Sequence, residues 1–489
     1  MKKTLTSLMM AGFVAFGAEA QTLNVVTDNI TYAFPAAQTG NMTYQNGESL
    51  TIMGKTFSVS DITKMYVDNS EVADNTVSVS YSGTNATMTI AGNVARYVTP
   101  TITHAHVGIV QSSDVGDDTC GEVTYSLSGT STDGEFTMEG SYKASLELNG
   151  LALTNPSGAP LNIQDGKRIS LSVKKSTENT LTDAADGDWK GTIVCKGHLE
   201  LKGKGTLNVY GYTAHGIYAK EYVEMKNCTV NVLAAVKDGI NCNQYFLMES
   251  GELNISGVAD DGVQVSYKDD TERDEEDTGS LTVKGGTITA TVTGTCTKGL
   301  KAEGDLTISD GTITVTSTGG GAWDSDDAKT KASSCIAADG NILIEGGTLS
   351  LTSSGSGGKG INGDGTLTIN GGNITVKTTG GMYAYVNGTE YTNYTGNTDN
   401  LTSDQKSSPK GIKIDGDVEI NGGTIHVTTT GNGAEGIESK SVLTVNDGTI
   451  VVYAYDDCLN SSSHMYLKGG DITVVSSGND GLDSNGNMY

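Results

Sequence analysis

The sequence is poor in aromatic residues and in proline. Aromatic residues make up 6% of its 489 positions, and proline occurs only 5 times. A core without large rings is filled by smaller side chains and is therefore narrow, and the turns must come from other residues, above all the 65 glycines. After the first twenty residues there is also no long apolar run, so the sequence predicts no transmembrane segment.

Positive charge is scarce. Lysine and arginine total 31 against 58 aspartates and glutamates, which gives a formal net charge of −27. Nucleic acid binding needs a basic surface, so this balance excludes it as a partner. An acidic polysaccharide would bind only through a divalent cation or a local basic strip.

The seven cysteines show no CxxC spacing and are odd in number. This pattern favours neither a disulfide framework nor a zinc site. We expect Cys242, Cys335 and Cys458 to be small buried residues.

Residues 1–20 have the pattern of a secretory signal peptide. Lys2 and Lys3 precede an apolar segment too short to span a bilayer, and Ala18-Glu19-Ala20 gives a small-x-small cleavage site. Removing two lysines and one glutamate brings the predicted mature chain to about −28. The prediction is a secreted protein in the periplasm, on the cell surface or outside the cell.

Most of the chain repeats one short unit, and Gly411–Val427 shows it most clearly, with the sequence GIKIDGDVEINGGTIHV. Apolar residues alternate in three short runs separated by Asp-Gly and Asn-Gly-Gly, which predicts three strands and two tight corners. The same glycine–aliphatic pair recurs at Gly216, Gly239, Gly262, Gly299, Gly360, Gly436 and Gly481, with cysteine in place of glycine at Cys335 and Cys458.

Several steps between these pairs equal 23 residues, for example from Gly216 to Gly239. A period of this length with three strands per repeat predicts a solenoid. The predicted fold is all-β: a right-handed, single-stranded parallel β-helix with coils of about 23 residues. We place it at residues 119–489, after a small β-rich N-terminal region or cap at 21–118. Because the sequence stops within a coil, we expect the natural chain to continue beyond Tyr489.

The start of the solenoid resembles a known family. The segments that carry the resemblance are Ser145–Leu153, Asn162-Ile163, Glu178–Asp183, Leu201–Val209 and Lys237–Asn241 with the later GGTI coils. In this order they are similar to a bacterial carbohydrate-binding β-helix family, of the cellulose- or polygalacturonate-binding type and related in fold to pectate-type polysaccharide lyases. The resemblance covers about residues 122–489, and it implies binding of plant-type polysaccharides, including acidic ones, and bound calcium.

When the coils are aligned, residues at the same position of successive coils form a column along the solenoid, and one column suggests a metal site. In this column, pairs of adjacent aspartates directly precede the glycine position, and a further aspartate lies one coil away. Calcium prefers six to eight oxygens from flexible corners, which adjacent acids and turn carbonyls can supply. The candidate ligands are Asp238, Asp260, Asp261, Asp456, Asp457 and Asp480. The alternative is that these acids accept corner amides and bind no metal.

A second group of columns brings lysines to one edge of the solenoid. Two loops, residues 319–334 and 380–410, leave the same corner and carry aromatic residues that are rare elsewhere. Sugar rings stack on such side chains, and lysines pair with uronate carboxylates. The candidate carbohydrate-binding residues are Lys298, Lys301, Trp323, Lys359, Tyr391, Lys410 and Lys413. The alternative is that the lysines only neutralise acids of their own chain, such as Glu303 and Asp415.

Three functions fit these features. The first is a non-catalytic binding protein for plant cell-wall or acidic polysaccharide, with calcium, and the resemblance favours it. The second is a calcium-dependent, pectate-type lyase, in which Lys298, Lys359 or Lys410 would be the base. The third is a structural or adhesive surface protein. The sequence leaves the sugar, its linkage and the oligomeric state open.

Overall fold

The computed structural model describes residues 21–489, so the predicted signal peptide lies outside the described residues. Strands dominate this part of the chain, and its helices are two short 3-10 turns, at Ala36–Gln38 and Ser403–Gln405. No helix among these residues has the length and apolar character needed to cross a membrane. The predicted all-β class is confirmed.

Each coil of the solenoid contributes one strand to each of three parallel ladders, which we name A, B and C. Ladder A carries the glycine–aliphatic pairs. Its strands are Leu161–Ile163, Gly191–Cys195, His215–Ala219, Ile240–Asn243, Val263–Ser266, Lys298–Ala302, Ser334–Ala338, Lys359–Gly363, Lys410–Ile414, Glu435–Ser439, Leu459–Ser461 and Leu482–Ser484.

Ladders B and C follow the two corners of each coil. The strands of ladder B are Ile169–Val173, Leu199–Gly203, Val223–Lys226, Tyr245–Met248, Ser280–Val283, Leu306–Ile308, Ile342–Ile344, Leu367–Ile369, Val418–Ile420, Leu443–Val445 and Met465–Leu467. The strands of ladder C are Glu178–Thr182, Thr206–Tyr210, Thr229–Ala234, Glu252–Val258, Thr287–Val292, Thr312–Ser317, Thr348–Ser353, Asn373–Thr378, Thr424–Thr429, Thr449–Ala454 and Asp471–Ser476.

The core lies inside the coil and is built from columns of aliphatic side chains in register. Ile361 pairs with Ile412, and Ile412 with Ile437, in ladder A. The residues predicted to face inward are at most 1% exposed, which confirms the predicted parallel β-helix and its phase: Ile240, Ile361, Ile412, Ile437, Val418 and Ile420.

Ladders B and C join at the N-terminal end of the solenoid. The long strand Ala144–Thr154 pairs with Ile169–Val173 over its first half and with Glu178–Thr182 over its second half. At the branch point, the buried side chain of Asn179 accepts the backbone N–H of Leu151 at 2.8 Å. A side chain therefore takes the place of a backbone acceptor where the two ladders separate.

The N-terminal region continues these ladders. Thr76–Ser82 pairs in parallel with Val123–Ser131, which precedes Ala144–Thr154, and His106–Gln111 pairs in parallel with Glu135–Glu139 at the start of ladder A. The remaining strands of this region are Thr22–Thr27, Ile30–Pro35, Thr43–Gln45, Ser49–Ile52, Lys55–Ser58, Lys64–Asp68, Asn85–Ala91 and Val98–Thr103. Parallel pairing thus crosses the predicted boundary at 118/119, and the first coil edge is covered by strands.

The cysteines behave as predicted. All seven are free, and Cys242, Cys335 and Cys458 are fully buried. With no disulfide to hold it, the solenoid depends on its continuous core and its ladders.

Candidate functional site

The predicted lysine column exists. The register of ladder A pairs Lys298 with Ser334, Ser334 with Lys359, and Lys359 with Lys410. Lys301 lies outward on the same strand as Lys298, and Lys413 lies outward on the same strand as Lys410. One edge of the solenoid therefore brings all five predicted lysines together.

Two of these lysines are neutralised by acids of their own chain. The ammonium of Lys410 lies 2.6 Å from a carboxylate oxygen of Glu435 and 3.0 Å from one of Glu438, and Lys413 lies 2.5 Å from Asp415. Burial opposes the charged form of Lys410, but the two glutamates hold its pKa above the ordinary value. Lys410 is 8% exposed and forms part of a buried ion-pair group.

Lys359 lies beneath the second loop. Its Nζ donates to the hydroxyl of Ser407 at 2.8 Å and to the carbonyl of Gly357 at 3.1 Å. Burial, followed by the charges of Lys413 and Lys410, lowers the pKa of Lys359 to about 7. This lysine is therefore partly uncharged near neutral pH.

Lys298 and Lys301 differ from the others. Among residues 21–489, no carboxylate forms an ion pair with either of them, whereas Lys410 and Lys413 have such partners. The Nζ of Lys298 donates to the carbonyl of Cys296 at 2.5 Å. Both lysines remain half-buried and able to meet a carboxylate from outside.

The two loops form small β-structures that contact each other. The first contains the hairpin Ala322–Asp324 with Lys329–Lys331, and the second contains Tyr383–Val386 paired with Thr389–Tyr391 and with Lys406–Ser407. The rings of Trp323 and Tyr385 stack with centroids 4.2 Å apart and an interplanar angle of 8°. One face of Trp323 is therefore occupied by a tyrosine that the sequence analysis did not include in the site.

Tyr391 remains available at the outer side of the second loop. It is 43% exposed, and its ring meets that of Tyr394 edge-on at 5.6 Å. The two loops together place four aromatic rings next to the lysine edge.

The acids around Asp238 converge as the metal hypothesis requires. Asp238, Asp260 and Asp261 each offer a carboxylate oxygen, and these oxygens lie within 4.8 Å of one another. Asp238 and Asp261 are 2% exposed, whereas Asp260 is exposed. Burial raises the pKa of Asp261 to about 6, Lys298 opposes this shift, and Asp238 adds to it.

The same acids also serve the ladder. Asp238 accepts the backbone N–H of Asp261 at 3.0 Å, and Asp261 accepts that of Lys298 at 2.6 Å. The alternative structural role is therefore present, and the second oxygen of Asp238 also accepts the side-chain amide of Asn241 at 2.7 Å. Among residues 21–489, the second oxygen of Asp261 and the carboxylate of Asp260 accept no hydrogen bond, so these are the oxygens left for a cation.

The other predicted metal ligands, Asp456, Asp457 and Asp480, form a second acidic group, which is arranged differently. Asp457 accepts the backbone N–H of Asp480 at 3.1 Å, so the same structural role recurs. Burial raises the pKa of Asp457, and Asp456, Asp483 and Asp480 add to the shift. Within residues 21–489, however, Asp456, Asp457 and Asp480 do not bring three ligand oxygens as close together as the first group does.

Sequence reasoning missed two features of this site. Of the two acids it named as partners of the lysines, Asp415 does pair with Lys413, but it missed that Lys410 pairs with Glu435 and Glu438 of the next coil. It also missed Ser407 above Lys359. The alignment by coil contained the signal for the glutamates, because Glu435 occupies the column of Lys410 one coil on.

His104 and His106 are two residues apart in the sequence but do not share a strand face. His104 lies in the turn after Val98–Thr103 with φ of 57°, and His106 starts the next, antiparallel strand. His106 instead contacts Asp133 and Glu135, at 3.1 and 3.3 Å.

One family model matches most of the chain. The family model described as "carbohydrate-binding domain-containing protein" matches residues 118–381, 337–433 and 400–481. Since these matches cover well over half of the sequence, the chain belongs to this family of carbohydrate-binding proteins.

A curated relative and a solved structure are also similar. A carbohydrate-binding domain-containing protein of Acetivibrio thermocellus is 28% identical over 103 residues, which are 19% of this chain and 36% of the relative. The chain thus matches about a third of that relative's length. A polysaccharide lyase-like protein from C. thermocellum, solved as a gadolinium derivative, is 17% identical with a TM-score of 0.40, covering 61% of this chain and 96% of that one.

Proposed function

We propose that the chain is a secreted, non-catalytic protein that binds plant cell-wall or other uronate-containing polysaccharide at its lysine edge. The observation that carries this proposal is the position of Lys298 and Lys301, which form no direct ion pair within residues 21–489, beside the loops with Trp323 and Tyr391. A uronate chain offers carboxylates to the two lysines and sugar faces to the rings. The inner part of the edge consists of Lys410 and Lys413, which are paired with acids of their own chain, and of Lys359, whose pKa is lowered.

The test is the double variant Lys298→Ala with Lys301→Ala, assayed by binding to soluble polygalacturonate at low salt. Its matched control is Lys284→Ala with Lys468→Ala, which removes the same amount of charge from two lysines that directly follow strands of ladder B. Exposed ion pairs contribute about 0–1 kcal/mol each, so we expect several-fold weaker binding for the first variant and no change for the control. Equal binding by all three proteins would mean that the lysine edge is not the site.

We further propose that calcium binds at Asp238, Asp260 and Asp261. The donor set fits, because the three carboxylates converge and calcium prefers oxygen ligands. A ligand that binds only the folded state raises the melting temperature. Asp260 is the residue to change, because its carboxylate is exposed and accepts no ladder N–H.

The measurement is the melting temperature with added calcium and with a chelator. We expect a calcium-dependent rise in the unaltered protein and in Asp456→Asn, and none in Asp260→Asn. A rise that persists in Asp260→Asn and disappears in Asp456→Asn would move the site to the second acidic group. An unchanged melting curve in chelator would remove calcium from the proposal.

One observation favours the lyase alternative. A lysine with a pKa of about 7 can act as a general base near neutral pH, and Lys359 has that property. Absorbance of an unsaturated uronate product from pectic substrate with calcium, lost in Lys359→Met, would establish an enzyme. In the structure, however, the Nζ of Lys359 is hydrogen-bonded to the hydroxyl of Ser407, so it faces the second loop and not a substrate. For this reason our proposal remains a binding protein.

A further inference from the structure

The outward face of ladder C carries a regular array of hydroxyl groups. Five consecutive coils each present four outward positions, at every second residue, which makes twenty positions. Fifteen are threonine and two are serine. The seventeen, which we call the threonine array, are Thr287, Thr289, Thr291, Thr293, Thr312, Thr314, Thr316, Thr318, Thr348, Ser350, Thr352, Ser354, Thr375, Thr379, Thr424, Thr428 and Thr430.

The array is aligned in both directions. The five strands pair residue by residue without a register shift, for example Thr289 with Thr314 and Ser350 with Thr375. Neighbouring positions are therefore about 4.8 Å apart between coils and about 6.6 Å apart along a strand. The shift between Ile255 and Val258 marks where this regular region begins.

These hydroxyls have no partners within the described protein. Inward-facing threonines of the same strands do have them: Thr378 donates to the carbonyl of Lys410, and Thr429 to that of Ala434. The side chains of the array, in contrast, are exposed or half-exposed and form no hydrogen bond to residues 21–489. Branching at Cβ restricts the χ1 angle of threonine, so the hydroxyls are held in few orientations.

Strand propensity alone does not account for the array. Threonine is favoured in any strand, but the other two ladders of the same coils also carry charged outward residues, among them Lys301 and Lys413 on ladder A and Glu419 on ladder B. The twenty positions on ladder C include one lysine, Lys377, and no acid. In a chain with a net charge of −27, this face is uncharged by comparison.

The next coil adds exposed aromatic residues to the same columns. Tyr453 and Tyr455 are 44% and 40% exposed, and Tyr453 pairs in register with Thr428 of the array. Flat apolar rings at the border of a hydroxyl surface favour sugar faces over other hydroxyl-rich partners.

We infer that the threonine array binds the ordered surface of an insoluble, neutral polysaccharide. Such a surface repeats its hydroxyls in two dimensions, as the array does, whereas one soluble chain would meet only a single column. Each hydrogen bond exchanged with water contributes little, but many in register act together. This inference rests on the carbohydrate-binding function proposed above and adds a second face, for a different physical form of carbohydrate.

The test is depletion from solution by microcrystalline cellulose and, separately, by crystalline chitin. The array variant combines Thr289→Lys, Thr314→Lys and Thr375→Lys. Its matched control combines Thr282→Lys, Thr307→Lys and Thr368→Lys, which places the same charges outward on ladder B of the same coils. A second array variant replaces the same three threonines of the array by valine and keeps the shape without the hydroxyl.

We expect the unaltered protein and the ladder B control to bind at least one of the two solids, and the lysine array variant to bind at least tenfold more weakly. If that variant does not fold, the valine variant should show the loss instead. Equal depletion of array and control variants, or no binding of the unaltered protein to either solid, would overturn the inference. So would array-dependent inhibition of ice recrystallisation without any effect on polysaccharide, because the face would then recognise ice.

Binding to soluble polygalacturonate separates this inference from the proposed function. The array variants should keep it, since the lysine edge lies on another ladder. Failure at the lysine edge and failure at the array are thus seen in different assays.

Discussion

Ile412 lies fully buried in ladder A, between Ile361 and Ile437 of the neighbouring coils. Ile412→Asp would place an unpaired carboxyl group where neither water nor a donor can reach it. We expect a loss of about 4 kcal/mol or more in the free energy of unfolding, measured by denaturant titration. Asn362→Asp, which puts the same group outward on the adjacent strand, is the control and should change little. Equal stability of the two variants would contradict the inward phase of the aliphatic column.

Lys359 makes stability depend on pH in a defined direction. Its pKa is lowered to about 7 in the folded state, below its unfolded value, because burial disfavours the ammonium. Between pH 7 and the unfolded pKa, the unfolded chain binds more protons, so stability should rise with pH by up to about 1.4 kcal/mol per unit.

Lys359→Met should remove this rise and leave the protein more stable at pH 7. The measurement is the free energy of unfolding from pH 7 to 9 for both proteins. Parallel pH profiles would show that Lys359 keeps its charge in the fold.

At the scale of elements, the branch between ladders B and C depends on one buried amide. Asn179 accepts the N–H of Leu151 and donates to the carbonyl of Thr206, at 2.8 and 3.2 Å. Asn179→Ala would leave both backbone groups buried without a partner, which costs about 1–3 kcal/mol each.

The matched control is Asn231→Ala, since Asn231 belongs to an outward stack and donates to Asn208 at 2.8 Å. We expect Asn231→Ala to lose much less of its free energy of unfolding than Asn179→Ala. Hydrogen exchange should also show faster opening near Leu151 in Asn179→Ala only. Unchanged protection at the branch would assign the pairing of Leu151 to other groups.

The strands could be predicted from the sequence because alternation and corner residues repeat once per coil. The inward phase of Ile412 and the column of Lys298, Lys359 and Lys410 followed directly from that period. The loops have no period, so the stack of Trp323 on Tyr385 and the position of Ser407 over Lys359 could not be predicted. The ion pairs between side chains of neighbouring coils were also missed, as at Lys410, which pairs with both Glu435 and Glu438 of the next coil.

At the scale of the whole molecule, the proposed edge and the inferred array should respond differently to salt. Ion pairs at Lys298 and Lys301 are screened, so binding to soluble polygalacturonate should weaken as ionic strength rises from about 0.01 to 1 M. The threonine array is uncharged apart from neighbouring Lys377, so binding to a crystalline solid should change little over that range.

The measurement is one salt series carried out with both ligands. If binding to both ligands weakened equally with salt, one charged surface would bind both of them. If binding to neither ligand changed with salt, ion pairing at the lysine edge would be contradicted.

The five strands of the threonine array pair without a register shift, and this has a consequence for how such a face can change over generations. Duplication of one complete coil in the gene would add a row of hydroxyls already aligned with the rest. An insertion of a single residue within a strand would turn every following side chain of that strand to the opposite side. The extent of the surface can therefore grow or shrink in whole coils, and the number of coils becomes a heritable quantity on which selection can act.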